Sequence, residues 1–269
     1  MWPEIVKQEL GDVEFFNFGQ KGAGNQFIAH QLYKADAEYN FNSDDLVMVC
    51  WSSSFRNDWF VTPDHEYQGF ENSHKHWVTE GNAFYPGKYG SQLHSTLKDL
   101  DHYTIRDASI ISGAVKFLEE SDCQSHQLAM INNFVNDDQD HGLIEQQILD
   151  HPECKPYVDY LRDKIAVSFW DSGYDLDFIM DYWKNTLGID EYCRDDHPLP
   201  IWSMEYLSNA FDHEFTKETR AIVYAYHDKL CEALKKYKEY DYDCNFTEML
   251  FNHYPWFEKS DMSLVNLLD

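Results

Sequence analysis

The stretch that most constrains the fold is Val13-Glu14-Phe15-Phe16-Asn17-Phe18-Gly19-Gln20-Lys21-Gly22-Ala23-Gly24-Asn25-Gln26. An apolar segment enters a glycine-rich turn, and the turn opens a sequence with helical periodicity. Val13 to Phe18 reads as a strand. Asn25 to Ala37 reads as a helix, with Phe27, Ile28, Leu32 and Ala35 near one face. Gly22 and Gly24 allow a sharp turn and a close backbone approach. The N–H groups of such a helix start favour negative charge above the strand end. Asp44-Asp45 then precede Leu46-Val47-Met48-Val49-Cys50-Trp51, a short continuous apolar run. Such a run suits a strand covered on both faces, as in a parallel sheet. Strand, helix and strand at this spacing predict one βαβ unit. Val13–Phe18 and Leu46–Trp51 are expected as parallel neighbours, or with a single strand between them.

Further along, residues 52–104 read as a long irregular connection rich in aromatics. Trp59, Phe60, Tyr67, Phe70, Trp77, Phe84, Tyr85 and Tyr89 lie among polar residues. A connection of this length suits a lid or binding loop. Residues 106–119 read as a helix through Ile110, Ile111, Ala114, Val115 and Leu118, and Gln127 to Phe134 as a strand. Pro152 and Pro156 interrupt a helical region at 142–165. Glu4–Leu10, Leu176–Leu187 and Met204–Phe211 are further helix candidates. Thr216 opens a longer helix, with Glu218 early and Lys235, Lys236 and Lys238 late, which suits the helix dipole. The expected architecture is α/β and three-layered: a mainly parallel sheet flanked by helices over residues 1–214. A helical C-terminal extension over 215–269 packs on it.

The 48 acids outnumber the 21 lysines and arginines, for a formal net charge of -27. That field repels nucleic acid, whose phosphates need basic partners. The acids are dispersed, which fits a solvated surface better than the single face of an acidic DNA mimic. No run of about 18 apolar residues suggests a membrane span. Met1-Trp2-Pro3-Glu4 lacks the basic-then-apolar pattern of a secretion signal. The six cysteines, none in CxxC spacing, are expected as free thiols in a cytoplasmic protein.

Gly19 to Gly24 has the GxxxxG spacing of a phosphate loop. Asn25 and Gln26 stand where that loop needs Lys and Ser or Thr, so a degenerate nucleotide site is the weaker reading. The histidines of His74-Lys75-His76, Asp64-His65-Glu66 and Asp212-His213-Glu214 have no zinc-motif spacing, and no metal or cofactor is expected. Arg56 is placed to bind an anion bidentately or to pair with Asp58. Ser52, Ser53 and Ser54 follow a strand end, where sites of open α/β sheets gather.

A set of motifs in one order resembles the SGNH/GDSL hydrolases, and among them those of bacteriophages, marine ones especially. The motifs are Trp2-Pro3-Glu4, Asn17-Phe18-Gly19, Gly22-Ala23-Gly24-Asn25, Ile28 and Asp44-Asp45-Leu46-Val47-Met48-Val49. Trp51-Ser52, Arg56, Trp77 with Glu80-Gly81-Asn82, Asp195-Asp196-His197-Pro198-Leu199-Pro200 and Glu205-Tyr206-Leu207 follow. The resemblance implies an SGNH-hydrolase or flavodoxin-like fold. It also implies an esterase or acyltransferase, active or degenerate, acting on a small ester or acylated glycan in a host cell's cytoplasm. His197 would be the base and Asp195 its orienting partner. Gly22, Gly24 and Asn25 would form the second block, which contributes to the oxyanion hole. The family's first strand and its Gly-Asp-Ser nucleophile block would precede Trp2. One of Ser52, Ser53 and Ser54, with Ser52 the first candidate, is expected to supply the nucleophile instead, with Arg56 on the rim of the cleft. The competing expectation is a non-catalytic viral binding or virion-associated protein.

Overall fold

The structure is a computed structural model and describes residues 2–20, 22–54, 56–60, 73–74, 77–82, 100–131, 146–188 and 198–237. In chain order the elements are α1 (Trp2–Leu10), α2 (Asn25–Tyr39), β1 (Leu46–Trp51), β2 (Arg56–Phe60), β3 (Ser73–His74) and β4 (Trp77–Asn82). There follow α3 (Leu100–Glu120), β5 (Gln124–Ala129), α4 (Gln146–Leu149), α5 (Lys155–Leu161), α6 (Leu176–Asn185), α7 (Pro200–Phe211) and α8 (Lys217–Tyr237). They fall into two compact units, residues 18–171 and residues 1–17 with 172–269.

In the unit 18–171, β1 and β5 pair in parallel, from Leu46 opposite Gln124 to Trp51 opposite Ala129. Their carboxyl ends therefore lie at one edge. On its other side β5 is bonded by an irregular segment, through Ala166 N–H to Gln127 O at 2.9 Å and Phe169 N–H to Ala129 O at 3.0 Å. The apolar core joins Ala29 and Leu32 of α2, Val49 and Trp51 of β1, and Ala108, Ile111, Ala114, Val115 and Leu118 of α3. It continues through Ile148, Leu149, Cys154, Val158 and Leu161. The α3 residues recur at helical spacing, so one stripe of the helix supplies them all.

Two sequence expectations are corrected here. Val13–Phe18 is not a strand: it runs without regular structure, with Val13, Phe16 and Phe18 exposed at 41, 46 and 39%. The parallel partner of β1 is β5, reached through α3. An apolar, β-branched and aromatic run is compatible with a strand, but a strand exists only where a ladder partner is found, and that partner is non-local. The second correction concerns 52–104. Part of this stretch forms an antiparallel sheet ordered β2-β4-β3, with Trp59 opposite Val78 and Phe60 opposite Trp77. Phe60, Phe27 and His30 surround the Trp77 ring. Tyr67, Phe70, Phe84, Tyr85 and Tyr89 lie outside the described residues, as do 132–134 of the strand expected at Gln127–Phe134.

The other unit is helical in its described residues. Gly11, at φ 77°, ends α1 and donates its N–H to Lys7 O. Asp175 caps α6 by accepting from Phe178 N–H at 2.8 Å. Thr216 caps α8 through Thr219 N–H at 3.2 Å. Glu9 of α1 reaches the same helix start, accepting from Thr216 N–H at 3.1 Å and Thr216 Oγ1 at 3.0 Å. Packing of α7 against α8 thus runs across the boundary expected at 214/215. No described helix is long and apolar enough to cross a membrane.

Candidate functional site

The chain leaves β1 at Trp51 and turns through Ser52, Ser53 and Ser54 into β2. Asn25, the first residue of α2, is fully buried against this turn. Its Nδ2 donates to Ser52 O at 2.9 Å, and Ser52 N–H donates to its Oδ1 at 2.8 Å. The side-chain amide thus bonds the strand end as a neighbouring strand's peptide would. The remaining Nδ2 proton goes to Asp107 Oδ2 at 2.7 Å.

Asp107 lies on α3 and is also fully buried. Its other oxygen receives Arg106 Nε at 2.6 Å. The same guanidinium donates to Asn57 Oδ1 at 2.8 Å and to Arg56 O at 2.9 Å, and it lies over the Tyr103 ring. The planar fork of arginine reaches three acceptors that a lysine could not serve together. Arg106 and Asp107 therefore fasten the start of β2 and the start of α2 to α3.

A second carboxylate completes the network. Buried Asp58 of β2 accepts from Gly24 N–H at 2.8 Å and from Phe27 N–H at 2.9 Å. It neutralises the open amides of the α2 N-terminus, where an anion is favoured. A carboxylate of the protein therefore stands where the phosphate-loop reading needs a phosphate. Gly24 is required by proximity, since a Cβ there would lie 2.7 Å from Asp58 Oδ2 and 3.0 Å from Arg56 Cβ. Gly22 meets a different need, a φ of 75°. Half-buried Arg56 donates from Nη1 to Ala23 O at 3.1 Å.

Burial raises the Asp107 carboxyl to about 6, against the opposing hydrogen bonds and charge of Arg106 and the bond from Asn25. Burial also raises Asp58, although the Phe27 and Gly24 amides and the two arginines pull it down. Burial lowers Arg56, with Asp58 opposing. Two acids and two guanidiniums share this enclosed region, so each proton or charge change there is felt by the others.

The structure brings together Asn25, Ser52, Gly24 and Arg56, residues that the sequence singled out in separate motifs. Each of them is engaged in hydrogen bonds within this network. Both Nδ2 protons of Asn25 are engaged, and so is the Gly24 N–H, so neither group points a free proton at an oxyanion. Ser52 and Ser54 are buried, while Ser53 is half-buried. Asp195, Asp196, His197 and Lys21 lie outside the described residues. Sequence reasoning missed Arg106, Asp107 and Asn57. One signal was present: Asp107 falls on the apolar stripe of α3, four residues before Ile111, where an unpartnered acid would be costly. Compared with protein-family models, curated proteins and solved structures, the chain matches none.

Proposed function

We propose that this chain is an ester-hydrolase-like α/β protein of the three-layer kind, with its site at the carboxyl end of β1 and a small ester or acylated glycan as substrate. One observation carries the reading. The glycine turn before α2 and the serine turn after β1, two motifs of the hydrolase resemblance, meet through Asn25 and Ser52. In this reading a turn serine attacks the ester carbonyl, and the resemblance assigns the acceptance of its proton to His197, with Asp195 as that residue's partner. His197 then protonates the leaving alcohol, and water releases the acyl group. Among the three serines Ser53 is the least enclosed and is the favoured nucleophile. Asn25 and Asp107 hold the turn in place, and Arg56 lies beside it.

A second reading, a non-catalytic binding protein on the same scaffold, draws on one specific fact. The Gly24 N–H and the side-chain amide of Asn25, two of the donors that the resemblance assigns to the oxyanion site, are spent on Asp58, Ser52 and Asp107. Hydrolysis of short p-nitrophenyl esters separates the two. The hydrolase reading expects a rate that falls about 10²–10⁴-fold in His197→Ala and is lost in Ser53→Ala. A rate insensitive to His197 overturns the base assignment. No rate in the wild type, with a glycan ester bound intact, leaves the binding protein.

A further inference from the structure

Pairing sets Arg56 apart from the other arginines. Among the described residues Arg106 pairs with Asp107, Arg162 with Asp159 and Arg220 with Glu214, while Arg56 pairs with no carboxylate. This holds in a chain where 48 acids face 21 lysines and arginines. Asp58, two residues along β2, does not serve it: one oxygen accepts from Gly24 N–H and the other from Phe27 N–H. The Arg56 side chain is half-buried, and its Nη1 donates to Ala23 O at 3.1 Å. The Nε–Nη2 edge of the fork has no partner among the described residues. Burial lowers the Arg56 pKa, but a guanidinium stays charged at pH 7. A cation partly withdrawn from water calls for a counter-charge. Arg56 N–H donates to Ser53 O at 3.2 Å, closing a turn that sets the two residues close together. The open guanidinium and the favoured nucleophile therefore share one turn.

We propose that Arg56 binds a carboxylate of the substrate and so selects esters of acidic small molecules or acidic glycans. The ester part of this statement rests on the hydrolase reading of the serine turn. Two parallel N–H groups on one edge of a guanidinium match the two coplanar oxygens of a carboxylate. One guanidinium balances one negative charge. A phosphate dianion calls for further donors, and the α2 amides that would supply them are already given to Asp58. The field of a chain with net charge -27 disfavours an anionic substrate, so a preference for one reports a local cation. Binding forms no covalent bond and moves no proton: Nε–H and Nη2–H donate, and the carboxylate oxygens accept. Arg56 is thus a specificity residue. It holds one end of the substrate while the ester carbonyl lies at the turn serine, and it takes no part in the bond changes.

The test pairs turnover with binding, both on the full chain. The substrates 4-acetoxybenzoate and its methyl ester present the same acetyl group with and without a carboxylate. The wild type is expected to favour 4-acetoxybenzoate in kcat/KM by at least about 10-fold, as one charge-assisted pair allows. Arg56→Gln, which keeps a donor for Ala23 O, loses that preference. Arg56→Lys restores only part of it, because lysine has no fork. A variant damaged in folding lowers both rates and leaves their ratio. Calorimetric titration with 4-hydroxybenzoate, against its methyl ester as the uncharged control, reads binding without turnover. Its affinity is expected to fall at least about 10-fold in Arg56→Gln. No turnover of either ester, with 4-hydroxybenzoate still bound through Arg56, overturns the hydrolase reading and supports the carboxylate site. Equal kcat/KM for the two esters, or a preference that survives Arg56→Gln, overturns the carboxylate site and leaves the hydrolase reading. Inorganic phosphate bound as tightly as 4-hydroxybenzoate also overturns the carboxylate assignment.

Discussion

Asn25 and Ser52 exchange two hydrogen bonds, Nδ2 to Ser52 O at 2.9 Å and Ser52 N–H to Oδ1 at 2.8 Å, across 27 positions of sequence. The first residue of a helix thereby continues the ladder of a strand. Neither residue is exposed enough for water to stand in. The position of the serine turn thus depends on a side chain from a different motif, which in turn depends on Asp107.

Asn25→Ala removes three hydrogen bonds and leaves the Ser52 N–H and C=O without their partner. Each such buried group costs roughly 1–3 kcal/mol. The expected loss is about 3 kcal/mol in urea unfolding at pH 7. A double-mutant cycle with Asp107→Ala is expected to show coupling of about 1 kcal/mol, because the two side chains share one bond. Additive losses would mean that Asn25 and Asp107 act separately.

Gly24→Ala tests proximity without a torsional penalty, since Gly24 has φ -96°. The new methyl meets the Asp58 carboxylate and the Arg56 backbone. Moving Asp58 also loosens its hold on the Phe27 amide. The expected cost is about 1–3 kcal/mol, the range for overpacking. Amide exchange in the first turn of α2 should rise together with that loss. A neutral Gly24→Ala would show that Asp58 moves aside freely.

Asp107 makes stability depend on pH in the direction opposite to an exposed ion pair. Its ordinary value is 3.8 and its folded value about 6, so the folded chain binds more protons than the unfolded chain between those limits. Its contribution is most favourable below about pH 4. It declines as the pH rises to 6 and is constant above that. The decline is about 3 kcal/mol, at about 1.36 kcal/mol per tenfold shift of the proton equilibrium. Asp107→Asn removes it. The stability of the wild type relative to Asp107→Asn should therefore fall between pH 4 and pH 6, as read from urea midpoints. A flat difference would mean that Arg106 holds Asp107 ionised throughout.

Glu9 behaves in the other sense. Burial pushes its carboxyl up, but hydrogen bonds from Thr219, His213 and Thr216 outweigh this and hold it below 4.5. Its contribution is present above that ordinary value and is lost as the pH falls through the folded value. Glu9→Gln should cost about 1 kcal/mol at pH 7 and little in strong acid. An equal cost at both ends would assign Glu9 a packing role only.

Local pattern was enough for the elements whose cause is local. The continuous apolar run of β1 and the helical stripes of α2, α3 and α8 each carry their own signal, and each element is present there, α3 starting at Leu100 rather than at residue 106. The sequence also marked Asn25, Ser52, Gly24 and Arg56 as residues of interest, because each sits at a turn beside an element end. Their roles were not local. Val13–Phe18 has a strand's composition and no ladder, while Gln124–Ala129 holds the place beside β1, because strand pairing is decided between distant segments. Arg106 and Asp107 were hidden inside a helix read for its apolar face. Asp58 was read only as a partner for Arg56. By itself the sequence determined the helices α2, α3 and α8, the strand β1 and where a glycine must stand. The tertiary structure alone decided which polar groups are buried together. That choice depends on how far each group is removed from water, a quantity set by neighbours 27 to 82 positions away.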